Sequence, residues 1–277
     1  MKTKILLITA LLISFFAFYS CEKTEDTQAE NQELIDSGES DIIEDVLWNA
    51  IDSDIDYAGN ILESNGYKSV TDTCPLIIVE HPDSVFFPRT ITIDYGDSYC
   101  ETYHGALKKG KIVIEITAPI QYPGSFRSIS FEEFYINEHK IEGAKTLINK
   151  GFNDAENLNF EATLTGGKIT FPDGRASTRE SIHNREWTKG IENPTYWWDN
   201  EWLLTGGSTG THRDGKTYVN TITEPILVKA MCHFAVSGTM ELLIQNQFLL
   251  VLDFGDGECD RIATLTFGDL VWEIELD

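Results

Sequence analysis

Two hydrophobic periods divide the chain. Between residues 40 and 66, Ile43, Leu47, Ala50, Ile51, Ile55, Ala58 and Leu62 recur at three- and four-residue intervals, the spacing that lines one face of an α-helix. Ser40 is placed to cap its start. Asp41, Glu44 and Asp45 sit near the positive end of the helix dipole, and Asn65-Gly66 marks the stop. This predicts an amphipathic helix over 39–66, docked on the rest of the chain by its apolar face. From Cys74 the text turns β-like, with alternating or β-rich runs at Ile91–Ile93, Ile112–Ile116, Phe131–Ile136, Phe160–Leu164, Lys168–Phe171, Thr217–Ile222, Phe248–Leu252 and Leu270–Leu276. Turn signals fall between them at Gly166-Gly167, Pro172-Asp173-Gly174, Gly206-Gly207 and Asp214-Gly215. No later helical pattern approaches twelve residues. The expected fold is mainly β, an antiparallel sandwich or a curled open sheet, with one N-terminal helix. No linker interrupts the stretch after Cys74, so residues 67–277 read as one body.

That body carries an internal repeat. Ile93-Asp94-Tyr95-Gly96-Asp97-Ser98-Tyr99-Cys100-Glu101 matches Leu252-Asp253-Phe254-Gly255-Asp256-Gly257-Glu258-Cys259-Asp260: apolar, Asp, aromatic, Gly, Asp, two variable positions, Cys, acid. Gly110–Ile116 aligns with Gly268–Ile274 downstream. Cys74 lies 26 residues before Cys100, and Cys232 lies 27 before Cys259. These features define two end modules, 74–116 and 232–276, joined by a hairpin meander over 117–231. Setting Cys21 apart leaves four cysteines, which allow three connectivities. The repeat selects Cys74–Cys100 and Cys232–Cys259, and each closed loop would contribute about 3–4 kcal/mol on the chain-entropy model.

Charge and the amino terminus set the address. The 277 residues hold 21 Lys and Arg against 45 Asp and Glu, a formal charge of −24. A surface so acidic repels phosphate backbones, which argues against nucleic acid as a partner. Residues 1–20 begin Met1-Lys2-Thr3-Lys4 and continue apolar from Ile5 to Tyr19, the build of a secretory signal and short for a membrane span. Residues 21–38, rich in acids and poor in apolar side chains, read as a solvated tether.

Phe18-Tyr19-Ser20-Cys21 resembles a bacterial lipobox, which implies cleavage before Cys21 and acylation of that residue, although Phe18 replaces the usual Leu. Two or more acyl chains anchor stably. Glu22 after the cysteine and the acidic run through Asp26 resemble the sorting and export signals of Bacteroidota surface lipoproteins. With the segments Asn137–Gly143, Gly167–Gly174 and Asp214–Tyr218, the chain resembles a group of such lipoproteins bearing two Cys…Asp-aromatic-Gly…Cys modules. The resemblance implies an outer-membrane, cell-surface location and carries over no catalytic residue or ligand.

The candidate chemistry is sparse. Gly206-Gly207-Ser208-Thr209-Gly210 fits Gly-x-Ser-x-Gly, but a hairpin turn follows it where a nucleophile elbow needs a helix. The six histidines show no metal-ligand spacing. Asp94, Asp97 and Glu101, with Asp253, Asp256 and Asp260, are candidate Ca²⁺ ligands, or they cap the backbone of their own turns. Tyr196, Trp197, Trp198 and Trp202 form either an exposed patch for a glycan or a protein, or core packing. These features predict a non-enzymatic binding or envelope-interaction protein held to the membrane by lipid. A glycan-processing hydrolase and a carrier of an apolar ligand are the alternatives.

Overall fold

A computed structural model describes residues 22–65, 74–80, 87–102, 105–192, 197–232 and 234–276. Cys21, Tyr196 and the side chain of Trp197 lie outside the described residues. Helix α1 runs Glu22–Asn65, 44 residues, about 66 Å at 1.5 Å per residue. It is longer than the sequence suggests. The stretch 22–38, read above as a tether, is helical, and Leu34 and Ser37 within it are buried. Ser40 is an interior position, not a cap. The cause is tertiary, since docking supplies most of a helix's stability in a folded protein. Gly38 shows how close that docking is: a Cβ there would stand 2.6 Å from Leu265 Cδ2.

The strands are β1 (Leu76–Glu80), β2 (Arg89–Asp94), β3 (Cys100–Glu101), β4 (Leu107–Ile116), β5 (Phe126–Ile136), β6 (His139–Phe152), β7 (Leu158–Thr170), β8 (Ala176–Lys189), β9 (Glu201–Thr211), β10 (Thr217–Lys229), β11 (Ala235–Ile244), β12 (Phe248–Asp256), β13 (Ile262–Phe267) and β14 (Leu270–Glu275). They form one antiparallel 14-stranded sheet in chain order, with β3 added to β4 off the path. The sheet is an open meander with β1 and β14 at its edges, which selects the curled open sheet over the sandwich.

The curl follows from what the helix touches. Leu34 and Ile42 join a buried cluster with Leu252, Leu265 and Ile274 from β12–β14. Leu47, Ile51, Ile55 and Ala58 join another with Ile77, Ile91, Ile114 and Ile129 from β1–β5. Laid flat, thirteen strands at about 4.8 Å would span about 60 Å, several helix diameters. One helix meets both ends only because the sheet wraps around it. Alternation then assigns the faces: one set of side chains points at α1, the other at solvent.

The meander has two rims. The entry rim carries the turns at 137–138, 171–175, 212–216 and 245–247. There α1 comes in, with Lys216 Nζ 2.8 Å from Glu33 Oε1. The far rim carries 117–125, 153–157, 190–192, 230–232 and 257–261. Both predicted disulfides, Cys74–Cys100 and Cys232–Cys259, are present. The first lies at the entry rim and the second at the far rim, so the matched hairpins β1–β2 and β11–β12 run in opposite directions. The strand that pairs with β12 after its cysteine is β13, whereas the sequence alignment above matched β4 to β14. What the repeat preserves is a turn. Asp94 Oδ1 accepts from Gly96 N at 2.8 Å and Asp253 Oδ1 from Gly255 N at 2.9 Å. Both glycines have positive φ, 81° and 92°, where other residues are strained. Tyr95 and Phe254 between them are buried on the helix side.

Candidate functional site

The densest polar constellation lies between α1 and the concave face of the sheet. The helix buries acids as well as apolar side chains, and inward strand positions meet them with cations. Arg179 on β8 donates from Nη2 to Asp41 Oδ1 at 2.7 Å, from Nη1 to Asp45, and from Nε to Tyr218 Oη at 2.8 Å. Its Nε lies 3.7 Å from Glu44. Asn220 Nδ2 donates to Asp41 Oδ2 at 2.7 Å, and Tyr218 Oη donates to Glu44 Oε2 at 3.3 Å. His212 stacks on Tyr218 with centroids 4.2 Å apart, its Nε2 3.6 Å from Asp41. Further along the helix the pairs become one to one: Asp52 with Lys145, Asp54 with Lys108 at 2.6 Å, and Asp56 with Arg185 at 2.8 Å.

These environments set the protonation states. Burial opposes ionisation of Asp41, but the Arg179 charge, with His212 and Asn220, outweighs it and lowers its pKa. Asp52 is likewise lowered, burial being overcome by Lys145 and Arg185. Glu44 goes the other way. Burial, reinforced by the Asp41 carboxylate, beats Arg179 and pushes it up to about 7. Burial, again with Asp41 adding to it, pushes Asp45 up to about 6. His183 is pushed down to about 4 by burial and by the Lys145 and Arg179 charges.

The seam excludes bulk ligands. The voids beneath α1 are about 60 Å³ and 30 Å³, against several hundred Å³ for a drug-sized ligand. The concave face that a carrier would use is occupied by the chain's own helix. An open groove of about 420 Å³ lies at the far-rim end of β1, β2, β4 and β5, where its lining includes Glu80, Pro88, Arg89, Thr90, Glu115 and Phe126. Register places Glu80, Thr90 and Glu115 side by side on three neighbouring strands, so the backbones of the two acidic residues stand about 9.6 Å apart across the sheet.

The structure divides the other sequence candidates. Trp202 is not part of an exposed patch. It is 4% exposed, stacked on Trp187 at 4.9 Å, with Arg185 over its ring at 4.5 Å. Trp198 is 46% exposed on a short 3-10 turn, Trp197–Asp199. The repeated acids divide between the rims. Asp94, Asp253, Asp256 and Asp260 accept from backbone N–H groups of their own turns, and Asp97 and Glu101 are exposed. Among the described residues, no group of three His, Cys, Asp or Glu side chains is placed to hold a metal ion. Ser208 lies inside β9 and is 5% exposed, paired with Ser181 and Asn220 across its neighbours. No helix among the described residues is long and apolar enough to cross a membrane.

Sequence reasoning missed the seam. Its signal was a cation two residues from a large apolar side chain on the same strand face, as in Lys145 with Leu147 and Arg185 with Trp187, matched by acids crowding one predicted helix. Comparison of the chain with protein-family models, with curated proteins and with solved structures gives no match.

Proposed function

We propose that the protein is a lipid-anchored, non-catalytic binding module of the outer membrane, displayed at the cell surface, whose partner is a surface protein or a glycan. The observation that supports it most is the pair of disulfides, one at each rim, because such cross-links persist in oxidising compartments. The signal-like residues 1–20 and the lipobox cysteine Cys21 agree with that address. Intact mass analysis of native material tests it: acyl chains on Cys21 and no alkylatable thiol are expected. Unmodified Cys21 together with four reactive thiols would remove both the anchor and the compartment. Protease shaving of intact cells should release the body.

A glycan-processing hydrolase is the second reading, and one feature favours it: Glu80 and Glu115 flank a groove of about 420 Å³. Turnover of a polysaccharide panel that disappears in Glu115→Gln would favour it over the binding module. Turnover that survives the substitution, or none at all, would remove it.

A further inference from the structure

The two rims of the meander differ in what their connections expose. Each of the five far-rim connections from β4–β5 to β12–β13, counted with the strand residues that bound it, carries one large apolar side chain in solvent. In chain order these are Tyr122, Phe152, Trp198, Met231 and Ile262. Tyr122 is 62% and Phe152 63% exposed. Counted the same way, the entry rim exposes such side chains only at its outermost connections, through Tyr99 and Leu107 toward one edge and Leu270 toward the other. The four turns between, 137–138, 171–175, 212–216 and 245–247, expose none. A single apolar side chain in water is ordinary, whereas a run of them along one rim marks an interaction surface. Charge divides the rims in the same way. The five far-rim connections hold Asp154, Glu156, Glu192, Asp199, Glu258 and Asp260 against one cation, Arg261. The four entry-rim turns are balanced, with Glu138, Asp173 and Asp214 against Arg175, Arg213 and Lys216. Cations at the far strand ends are engaged within the chain: Lys150 with Glu161, Lys189 with Glu201, Lys229 with Gly257 O, and Arg89 over the Phe87 ring.

The connections are braced from within. Ile120 of the first is buried with Leu158, Trp187 and Trp202, and Cys232–Cys259 joins the two that carry Met231 and Ile262. From the first tip to the last the rim crosses eight strand spacings, an arc of about 38 Å at about 4.8 Å each. That is the reach of a standard protein interface of about 800 Å² a side. Tyr, Trp, Phe and Met are the side chains that anchor such interfaces. We propose that the far rim is a docking surface for a partner protein with a basic face, the five apolar tips making the contact and the acids between them steering the approach. This names a partner class for the binding module and rests on that reading. A second copy would set one acidic rim against another, and an anionic bilayer would be repelled in the same way. A sugar ring would cover one tip of the five. The helix favours the same face. It enters at the opposite rim, where Glu33 meets Lys216, and continues back to Glu22, about 16 Å at 1.5 Å per residue. A chain tethered at Cys21 turns its far rim outward.

The test uses the full chain in the cells that make it. A photo-crosslinking phenylalanine analogue replaces Phe152 at the far rim or, as the control, Gln247 in an entry-rim turn. After illumination the joined peptides are identified by mass spectrometry. The Phe152 probe should join one other protein, through a segment with more lysine and arginine than acid, and the Gln247 probe should not. Tyr122→Ser combined with Met231→Ser should lower the yield at least tenfold, and so should Asp154→Lys combined with Glu258→Lys. All four positions are exposed, so each pair should keep the melting temperature of the wild type, which shows that the fold is intact. The proposal is overturned by no adduct at Phe152, by equal adducts at both probes, or by a yield that neither pair of substitutions lowers. It is overturned equally by an adduct to a second copy, to a lipid or glycan, or to a protein through an acidic segment. A glycan adduct would keep the binding module and change its ligand. The anchor is decided separately by the mass of Cys21, so the two readings can fail independently.

Discussion

The two halves of the charged seam bury similar chemistry with opposite consequences. Near the entry rim, Asp41, Glu44 and Asp45 crowd one guanidinium, Arg179. Further along the helix, Asp52, Asp54 and Asp56 each have a cation of their own. In the second half Asp52 is held below the usual carboxylate range. In the first, Glu44 is raised to about 7 and Asp45 to about 6, while Asp41 takes the best of Arg179 and is lowered. Burial alone therefore does not decide whether an acid keeps its proton. The local ratio of acids to cations does, because each further carboxylate must be desolvated against a charge already spent on its neighbour.

The largest expected effect breaks the crowded half. Arg179→Leu removes the only cation shared by three buried acids and should destabilise the protein by about 4 kcal/mol near neutral pH, the range for stranding a buried charge. Urea unfolding with an unchanged m-value would show it as a lower midpoint. The loss should shrink at pH 5, where Glu44 and Asp45 hold protons in the folded chain. A loss of equal size at pH 5 and 8 would mean that Arg179 acts by packing alone.

Next comes Glu44 itself. Its carboxyl titrates at an ordinary 4.5 when unfolded and at about 7 when folded, so the folded state binds the extra proton in between. Its contribution is complete below pH 4.5 and is lost as pH rises through 7, about 3 kcal/mol in all at 1.36 kcal/mol per pKa unit. Asp45 adds the same sign between about 4 and 6, lessened by the exposed fifth of its side chain. His183 opposes both, since its stabilising neutral form is lost as pH falls from 6.5 to about 4. Comparing wild type with Glu44→Gln cancels the other two. The variant should gain relative to wild type by about 3 kcal/mol between pH 4.5 and 8 in paired unfolding curves.

How much of this was legible in the sequence depends on which contacts were local. Strands β2, β4, β5, β7, β10, β12 and β14 and the turns at 172–174 and 214–215 could be read because alternation and Asp-Gly turns act over a few residues, and both disulfides because the repeat matched their spacing. The apolar stripe from Leu47 to Ala58 was visible because its period is local too. Gly166-Gly167 and Gly206-Gly207, read as turns, lie inside β7 and β9, where the pairing register shifts or the neighbouring backbone comes close. The helix start was not, since Leu34 and Gly38 make sense only once β13 lies against them. Asp41 and Glu44 read as ordinary first-turn acids. Their partners Arg179, Tyr218 and Asn220 are more than 130 residues away, and no local period connects them. The Trp cluster was ambiguous because a loop and a strand meet inside it: Trp198 stays in the loop and Trp202 enters β9.

A third prediction sharpens the comparison from the balanced half. Asp52→Asn leaves Lys145 with half its pair, yet the cost should be about 2 kcal/mol, below that at Arg179. The reason is the number of charges stranded, one ammonium here against the acids that share Arg179; the void of about 60 Å³ lined by Asp52 and Lys145 also reaches Asp45 and Arg179 and serves both sites. It has room for about four waters at 10–15 Å³ each, enough to solvate the released ammonium. Urea midpoints of the two single variants, measured side by side, give the ranking. If Asp52→Asn cost as much as Arg179→Leu, the number of stranded charges would not set the ranking.

The smallest effect tests the link between Glu44 and its neighbours. Tyr218 Oη accepts from Arg179 Nε and donates to Glu44 Oε2, so Tyr218→Phe removes two hydrogen bonds while keeping the ring stacked on His212. At pH 5, where Glu44 is protonated, the loss should be about 1 kcal/mol, that of an ordinary hydrogen bond. At pH 8 Glu44 is ionised and the missing donor is one to a charged group, so the loss should roughly double. The seam then makes a specific claim about sign: Tyr218→Phe grows more costly with rising pH, while Glu44→Gln grows more favourable. Because the two residues touch, the double variant should not be additive at pH 8. With no carboxylate left to receive the hydroxyl, Tyr218→Phe in the Glu44→Gln background should cost the same at both pH values. A cost that still rose with pH in that background would place the titrating group elsewhere in the seam.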